Sequence, residues 1–190
     1  MKFRNLIFFL PNFDQGGAAN SIKRLCLNFN KKNYKIFIVC LGKCFYKDEF
    51  TKHKINVLEL KASKTIFCFN EIKKRLLKHH KLSKQNTIFI SNINYANVLS
   101  VIFIKLLFSY KLILVERTSL NELDVYFNNK DYFKKKIIKF LIAVFYKYAD
   151  KVIANSRKTS NELKALSKSS ITYIYPGTIK KIRPFKKKKR

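Results

Sequence analysis

The N-terminal stretch, residues 3–19, constrains the fold more than any other part of the sequence. Residues 6–10 form an apolar run of the length of a buried strand, Pro11 ends the run, and Gly16 and Gly17 stand just ahead of a helical pattern. Glycines at that point let the backbone approach a ligand without a Cβ atom in the way, and the helix behind them directs unpaired N–H groups at the same spot. The pattern predicts either a site for an anion or sugar phosphate, or a plain strand-to-helix turn.

Strand and helix patterns alternate along the 190 residues. Apolar runs of strand length recur at residues 6–10, 35–41, 55–60, 87–91, 111–115, 150–154 and 171–175. Helical patterns lie between them, at residues 18–29, 71–82, 98–108 and 133–148 and after Ser156. This alternation predicts an α/β fold, a Rossmann-like, mainly parallel sheet flanked by helices. We expect one domain at residues 1–179 and a basic linker or tail at residues 180–190.

In sheets of this kind, ligands bind beyond the carboxyl ends of the strands. The loops expected there are residues 11–17, 91–97, 116–124 and 155–158, and residues 92–97 are predicted to form an asparagine-rich turn. With four glycines in the whole chain, the sequence contains neither the GxGxxG nor the Walker A pattern. This argues against a dinucleotide-dependent enzyme and against a P-loop NTPase.

The charge of the chain favours anionic partners. The 41 Lys and Arg residues against 11 Asp and Glu residues give a net charge of +30, which attracts nucleic acid, anionic lipid or a polyanionic substrate without choosing among them. The sequence has no RRM, KH or helix-turn-helix pattern, and its aromatic residues lie in predicted strands and on apolar helix faces. Specific nucleic-acid binding is therefore the least favoured of these functions.

The helix at residues 133–148 is both apolar and rich in lysine. Seven apolar residues are predicted to share one face of it: Phe133, Ile137, Phe140, Leu141, Val144, Phe145 and Tyr148. Such a face either packs on a core or lies on an anionic membrane. We expect packing on the core, because the strand at residues 150–154 follows within a few residues, as a βαβ unit requires.

Several functional classes are not supported by the sequence. The four cysteines show no CxxC pair and no matching histidine spacing, so no zinc site or redox motif is expected, and adjacent His79 and His80 are expected to be solvated. Residues 6–10 are too short for a secretion signal. A membrane span over residues 98–115 would put Lys105 and Lys111 in hydrocarbon at about 2.5–3.5 kcal/mol each. Helix, turn and strand are predicted there instead.

Five stretches of the sequence together resemble a known family. They are LPNFDQGGAANSIKRL, ISNINYANVLSVI, LVERTSL, YKYADKVIANSRKTSNEL and IYPGTI. In this order they are similar to the N-terminal half of the family 4 glycosyltransferases, which are retaining, metal-independent enzymes of the GT-B fold. The resemblance implies a second Rossmann-like domain that binds the sugar nucleotide, and it places the end of these 190 residues at the hinge before that domain. The chain alone is therefore expected to be inactive.

The resemblance also implies candidate site residues. Gly16 and Gly17 match the loop that lies against the donor diphosphate and the acceptor, and Glu116 and Arg117 are the catalytic candidates, at a point where many relatives have a histidine. The remaining substrate-binding candidates are Asn94, Thr118 and Ser156. Two alternatives stay open: Arg117 can instead form a surface ion pair, and Ser156 can instead cap a helix.

The function implied is transfer of a sugar from a nucleotide sugar to a lipid-linked or cell-surface glycan, with no metal and no cofactor. The expected partners are that donor, a glycan or glycolipid acceptor, a separate C-terminal glycosyltransferase half and an anionic membrane surface. The expected location is cytoplasmic, at the inner face of the membrane. The alternative is a non-catalytic module that binds membrane or glycolipid.

Overall fold

A computed structural model describes residues 4–29, 33–78 and 82–176. Its centre is a sheet of seven strands, all parallel, in the order β3-β2-β1-β4-β5-β6-β7. The strands are β1 (Arg4–Phe9), β2 (Tyr34–Leu41), β3 (Asn56–Leu60), β4 (Thr87–Asn92), β5 (Lys111–Glu116), β6 (Lys151–Ala154) and β7 (Ile171–Tyr173). The predicted Rossmann-like fold is confirmed, and the sheet is parallel throughout.

Six α-helices connect the strands in the described part of the chain. They are α1 (Gly17–Asn28), α2 (Lys47–Lys52), α3 (Thr65–Lys78), α4 (Asn94–Ser100), α5 (Asn129–Phe145) and α6 (Arg157–Ser167). Helix α4 continues as a π-helix, Val101–Leu107, and short 3-10 helices occupy Lys84–Asn86, Leu120–Leu123 and Tyr146–Tyr148. Because α1 and α2 lie on one face of the sheet and α3 to α6 on the other, the sheet is covered on both sides.

Strand β1 shows why these residues form the centre of the sheet. Successive side chains of a strand point to opposite faces, so a strand covered on both sides needs a continuous apolar run. Ile7 and Phe9 pack with the helices α3 to α6, whereas Leu6 and Phe8 pack with α1 and α2. β1 pairs with β2 on one side and β4 on the other, so the strand order reverses there. A parallel sheet opens a crevice for ligands at such a reversal.

Three local features of the structure differ from what the sequence predicts. The short helix α2 was not predicted, and α3 begins at Thr65 instead of residue 71. The predicted turn at residues 92–97 is wrong, since Asn92 ends β4 and Asn94 begins α4. Asparagine favours turns through its local hydrogen bonds, but here tertiary partners take the buried amides of Asn92 and Asn97.

The prediction that α5 packs one apolar face on the core is correct for only part of that face. The side chains that pack inward are Ile138, Leu141, Ile142 and Phe145. Phe133, Ile137 and Phe140 are exposed. The sequence of α5 contains two apolar stripes at helical spacing, and the sheet covers only one of them.

Other expectations concern the thiols, the membrane and the tail. All four cysteines are buried and free, as expected for core thiols. None of the helices in the described ranges is long and apolar enough to cross a membrane, and residues 98–115 form helix, turn and strand as predicted. His79, His80 and the predicted tail at residues 180–190 lie outside the described residues.

Candidate functional site

A pocket of about 590 Å³ lies at the carboxyl end of the sheet. It is lined by Gly17, Ala18, Asn20, Ser21, Arg24, Arg117, Thr118, Asn155 and Pro176. These residues come from helix α1 and from the segments that follow β5, β6 and β7. Three of the four predicted loops therefore contribute lining residues, and the candidates Gly17, Arg117 and Thr118 meet in one place.

The glycine loop is held by its own polar groups. The amide of Gly16 donates to Asp14 Oδ1 at 2.9 Å, and Asn20 Nδ2 donates to the carbonyl of Gln15 at 2.9 Å. The Gly16 amide is therefore already used within the loop. Gly17 begins α1, and a Cβ atom built on it would meet nothing within 4 Å. The space that a side chain at Gly17 would fill is part of the pocket.

Two asparagines hold Arg117 in place. Its Nε donates to Asn92 Oδ1 at 3.0 Å, and Asn92 Nδ2 donates in turn to the carbonyl of Phe9 at 3.1 Å. Asn155 Nδ2 donates to the backbone carbonyl of Arg117. Burial lowers the pKa of Arg117 and the nearby Glu116 carboxyl opposes that effect, but a guanidinium stays charged in proteins. Arg117 forms no ion pair with the described residues, and its Nη atoms have no acceptor among them.

Glu116 lies behind the pocket wall. Its side chain is 0 % exposed, and its Oε2 accepts hydrogen bonds from Tyr146 Oη at 2.6 Å and Asn97 Nδ2 at 3.4 Å. Its Oε1 has no hydrogen-bond partner among the described residues. Burial raises the pKa of Glu116 to about 7, although the hydrogen bonds work against the rise. The carboxyl is bonded to Tyr146 and Asn97 and is not among the residues that line the pocket. The predicted catalytic role of Glu116 stays a prediction.

The two remaining candidates do not line the pocket. Asn94 Oδ1 accepts a hydrogen bond from the amide of Tyr95 at 2.7 Å, at the start of α4. Ser156 Oγ accepts from the amide of Thr159 at 3.1 Å and so caps α6. Of the two functions considered for Ser156, the structure shows the cap. Substrate contacts of Asn94 and Ser156 stay predictions.

Four polar or charged lining residues were not among the candidates: Asn20, Ser21, Arg24 and Asn155. The first three follow Gly17 at helical spacing, so they extend one stripe of α1 along the pocket. That stripe lies away from the buried Ile22 and Cys26. Asn155 follows β6 directly, within a predicted loop. The helical spacing of the first three and the position of Asn155 directly after a strand are both visible in the sequence.

The electrostatics of the pocket favour an anion. Arg24 and Arg117 both line it, and none of the described lining residues is acidic. The N-terminus of α1 adds unpaired N–H groups and a partial positive charge beside Gly17. The described residues contain no group of three His, Cys, Asp or Glu side chains that could hold a metal ion. A phosphate group matches the charge and the donors of this site.

Comparison with known proteins gives a family and a fold. A model of the Glycosyltransferase Family 4 matches residues 15–179. The structure resembles that of HepE from Anabaena in complex with UDP and glucose, with a TM-score of 0.63 and 16% identity over 92% of this chain and 44% of that chain. The HepE complex with UDP-glucose gives a TM-score of 0.64 and 16% identity over 91% and 44%. This chain thus spans less than half the length of those proteins. A search of curated proteins gave no match.

Proposed function

The chain belongs to glycosyltransferase family 4, and from this premise we propose that it is the acceptor-side domain of a retaining hexosyltransferase. The proposed donor is a nucleotide sugar, and the proposed acceptor is a lipid-linked or cell-surface glycan. The matched structures are more than twice the length of this chain. We therefore propose that the rest of the donor site comes from a second GT-B domain outside these 190 residues.

The observation that carries this proposal is the pocket with Gly17 at the start of α1 and Arg117 beside it. When a sugar leaves a nucleotide sugar, negative charge develops on the diphosphate. Preorganised donors aimed at such charge stabilise the transition state more than the ground state. The Gly17 amide, the α1 terminus and the Arg117 guanidinium are donors of this kind. The complexes of HepE with UDP and with UDP-glucose support a nucleotide-sugar donor.

In this proposal the chain's own residues bind and orient the substrates. Gly17 keeps the approach to the helix terminus open, Arg117 contacts a phosphate or an acceptor hydroxyl, and Thr118 lies next to both. Asn92 accepts a hydrogen bond from the Arg117 side chain, and Asn155 donates one to the Arg117 backbone carbonyl. A side chain held in this way loses little conformational entropy when it binds a ligand.

The test is transfer of labelled sugar from UDP-glucose and other nucleotide sugars to bacterial lipid extracts, with a donor-binding GT-B domain supplied in trans. Arg117→Gln should lower transfer about 10- to 100-fold, as expected for loss of a charge-assisted hydrogen bond. The matched control is Arg157→Gln, at an exposed arginine on α6 that does not line the pocket. Extract binding without transfer would favour the alternative, a non-catalytic glycolipid-binding module.

We also propose that the protein works at the inner face of the cytoplasmic membrane, as a peripheral protein. A lipid-linked acceptor is confined to a membrane, and the net charge of +30 favours an anionic surface.

A further inference from the structure

Helix α5 carries an apolar stripe that nothing in the described part of the chain covers. Phe133, Ile137 and Phe140 are 63%, 57% and 65% exposed. They stand at positions i, i+4 and i+7, so they form one line on the helix surface. Phe127, shortly before the helix, is also exposed. Large apolar side chains grouped in this way mark a binding surface more often than an ordinary protein surface.

Lysines flank the stripe on both sides. With 100° of rotation per residue, Lys134 lies roughly 100° from Phe133 on one side and Lys136 roughly 60° from it on the other. Both lysines are exposed, as is Lys130, and none of the three forms an ion pair with the described residues. The acidic groups nearby are occupied, since Asp131 pairs with Lys135 at 3.0 Å and Asp124 with Lys139 at 2.7 Å.

A shallow groove runs beside the stripe, between α5 and α6. Its volume is about 480 Å³, and it is lined by Lys136, Ile137, Lys139, Phe140, Ala143 and Leu166. Its floor is apolar, and its two polar lining residues are lysines. A lipid with an anionic headgroup complements this groove, because its acyl chain matches the apolar floor and its headgroup matches the lysines.

The charge of the surface identifies the occupant. A second copy of the chain would bring another +30 against this lysine-rich face. Nucleic acid would match the charge, but it would leave an aliphatic and aromatic stripe without an apolar partner. An anionic bilayer satisfies both parts, because the apolar side chains enter the acyl boundary and the lysines reach the headgroups.

We propose that the outer face of α5, with Phe133, Ile137 and Phe140 inserted and Lys130, Lys134 and Lys136 on lipid phosphates, is the membrane-docking surface of this protein. The inference rests on the proposed membrane location and gives that location a defined face. It also sets the orientation of the molecule, because α5 lies on the sheet face opposite α1 and α2.

The first test is co-sedimentation with phosphatidylcholine vesicles that contain, or lack, about one-third phosphatidylglycerol. The full chain should bind the anionic vesicles, and Phe133→Ser/Phe140→Ser should lower that affinity at least about tenfold. The matched control is Phe45→Ser/Phe67→Ser, which removes two phenylalanines that are each 59% exposed at other places. Equal loss in both double variants, or no loss in the first, would overturn the proposal. Circular dichroism would verify that the variants are folded.

A second measurement detects insertion itself. The chain contains no tryptophan, so Phe140→Trp places a single fluorescent reporter in the stripe. Its emission should shift to shorter wavelength with anionic vesicles and should be quenched by brominated lipids, whereas Phe67→Trp should show neither effect. Unchanged Phe140→Trp emission would overturn insertion. Neither test requires glycosyl transfer, so a failed transfer assay would contradict the proposed enzyme function and leave the docking surface standing.

Discussion

At the scale of single residues, Glu116 is the most unusual group in the chain. It combines complete burial, a hydrogen bond from Tyr146 and one carboxyl oxygen without a partner among the described residues. Burial disfavours the charged form, and this is the largest cause of the raised pKa. Glu116 is therefore protonated in the folded protein over part of the range in which an exposed glutamate is ionised.

The raised pKa of Glu116 predicts a pH-dependent stability. The folded protein keeps the proton up to about pH 7, whereas the unfolded chain releases it near 4.5. Between these values the folded state binds more protons, so the free energy of unfolding falls as the pH rises, by roughly 2–3 kcal/mol from about pH 5 to about pH 8. Urea unfolding at both pH values should show this loss in the wild type, and it should be smaller by that amount in Glu116→Gln.

The control for that measurement is Asp48→Asn, at an exposed aspartate on α2, on the opposite face of the sheet from Tyr146. It should keep the wild-type dependence on pH. If Glu116→Gln and the wild type lose the same free energy, the carboxyl is ionised in the folded state.

Gly17 gives a second residue-scale prediction. Neither Gly16 nor Gly17 has a positive φ, and a Cβ at Gly17 meets nothing within 4 Å, so Gly17→Val should change the free energy of unfolding by less than about 1 kcal/mol. The added side chain occupies the pocket, so transfer with the second domain supplied in trans should fall at least about 100-fold. A fully active Gly17→Val protein would show that no substrate passes this point.

Gly16 is the matching contrast to Gly17. A Cβ there would lie 2.9 Å from Asp14 Oδ1, the atom that accepts the Gly16 amide hydrogen bond. The exposed Asp14 side chain can move away, but this breaks its hydrogen bond to the Gly16 amide, so Gly16→Ala should lower the melting temperature more than Gly17→Val does. Thermal unfolding of the two variants separates a structural glycine from a glycine that leaves room for a ligand.

At the scale of elements, α6 begins at a serine whose function can be tested separately from the pocket. Ser156→Ala removes the cap of α6 and should cost about 1 kcal/mol of unfolding free energy. Ser156 Oγ accepts a hydrogen bond from the Thr159 amide and does not line the pocket. The KM of Ser156→Ala for the nucleotide sugar should therefore stay within about twofold of wild type. A rise in KM beyond tenfold would instead support the predicted substrate contact of Ser156.

At the scale of the whole molecule, the proposed function makes this domain one half of a cleft. The pocket opens at the carboxyl end of the sheet, and the chain spans 44% of the length of the matched structures. In the proposed enzyme the donor is held between two domains, and closure of that cleft excludes water and orients the reacting groups. Residues 1–190 alone should therefore show no multiple-turnover transfer from any nucleotide sugar. Sustained product formation by the purified chain, followed with labelled donor, would contradict this arrangement.

The architecture and the place of the site follow from local patterns in the sequence. Alternating apolar runs and helical stripes specify strands and helices through local burial, and the helical crossover between successive strands favours a parallel sheet. The carboxyl ends of parallel strands share one edge, so the loops after β1, β5 and β6 had to meet there. Gly17, Arg117 and Thr118 were identified on that basis together with the family resemblance. The inward direction of Glu116 was also present in the sequence, because Leu112, Leu114 and Glu116 alternate on one face of β5.

Which of several equivalent side chains faces the core depends on contacts between elements that are distant in sequence. The two apolar stripes of α5 have the same period, and the choice depends on how the helix is turned against α4 and α6. Asn92 and Asn97 favour a turn locally, yet their amides donate to backbone carbonyls more than 15 residues away in sequence. Contacts of this kind form between distant segments of the chain, and a local pattern carries no information about such partners.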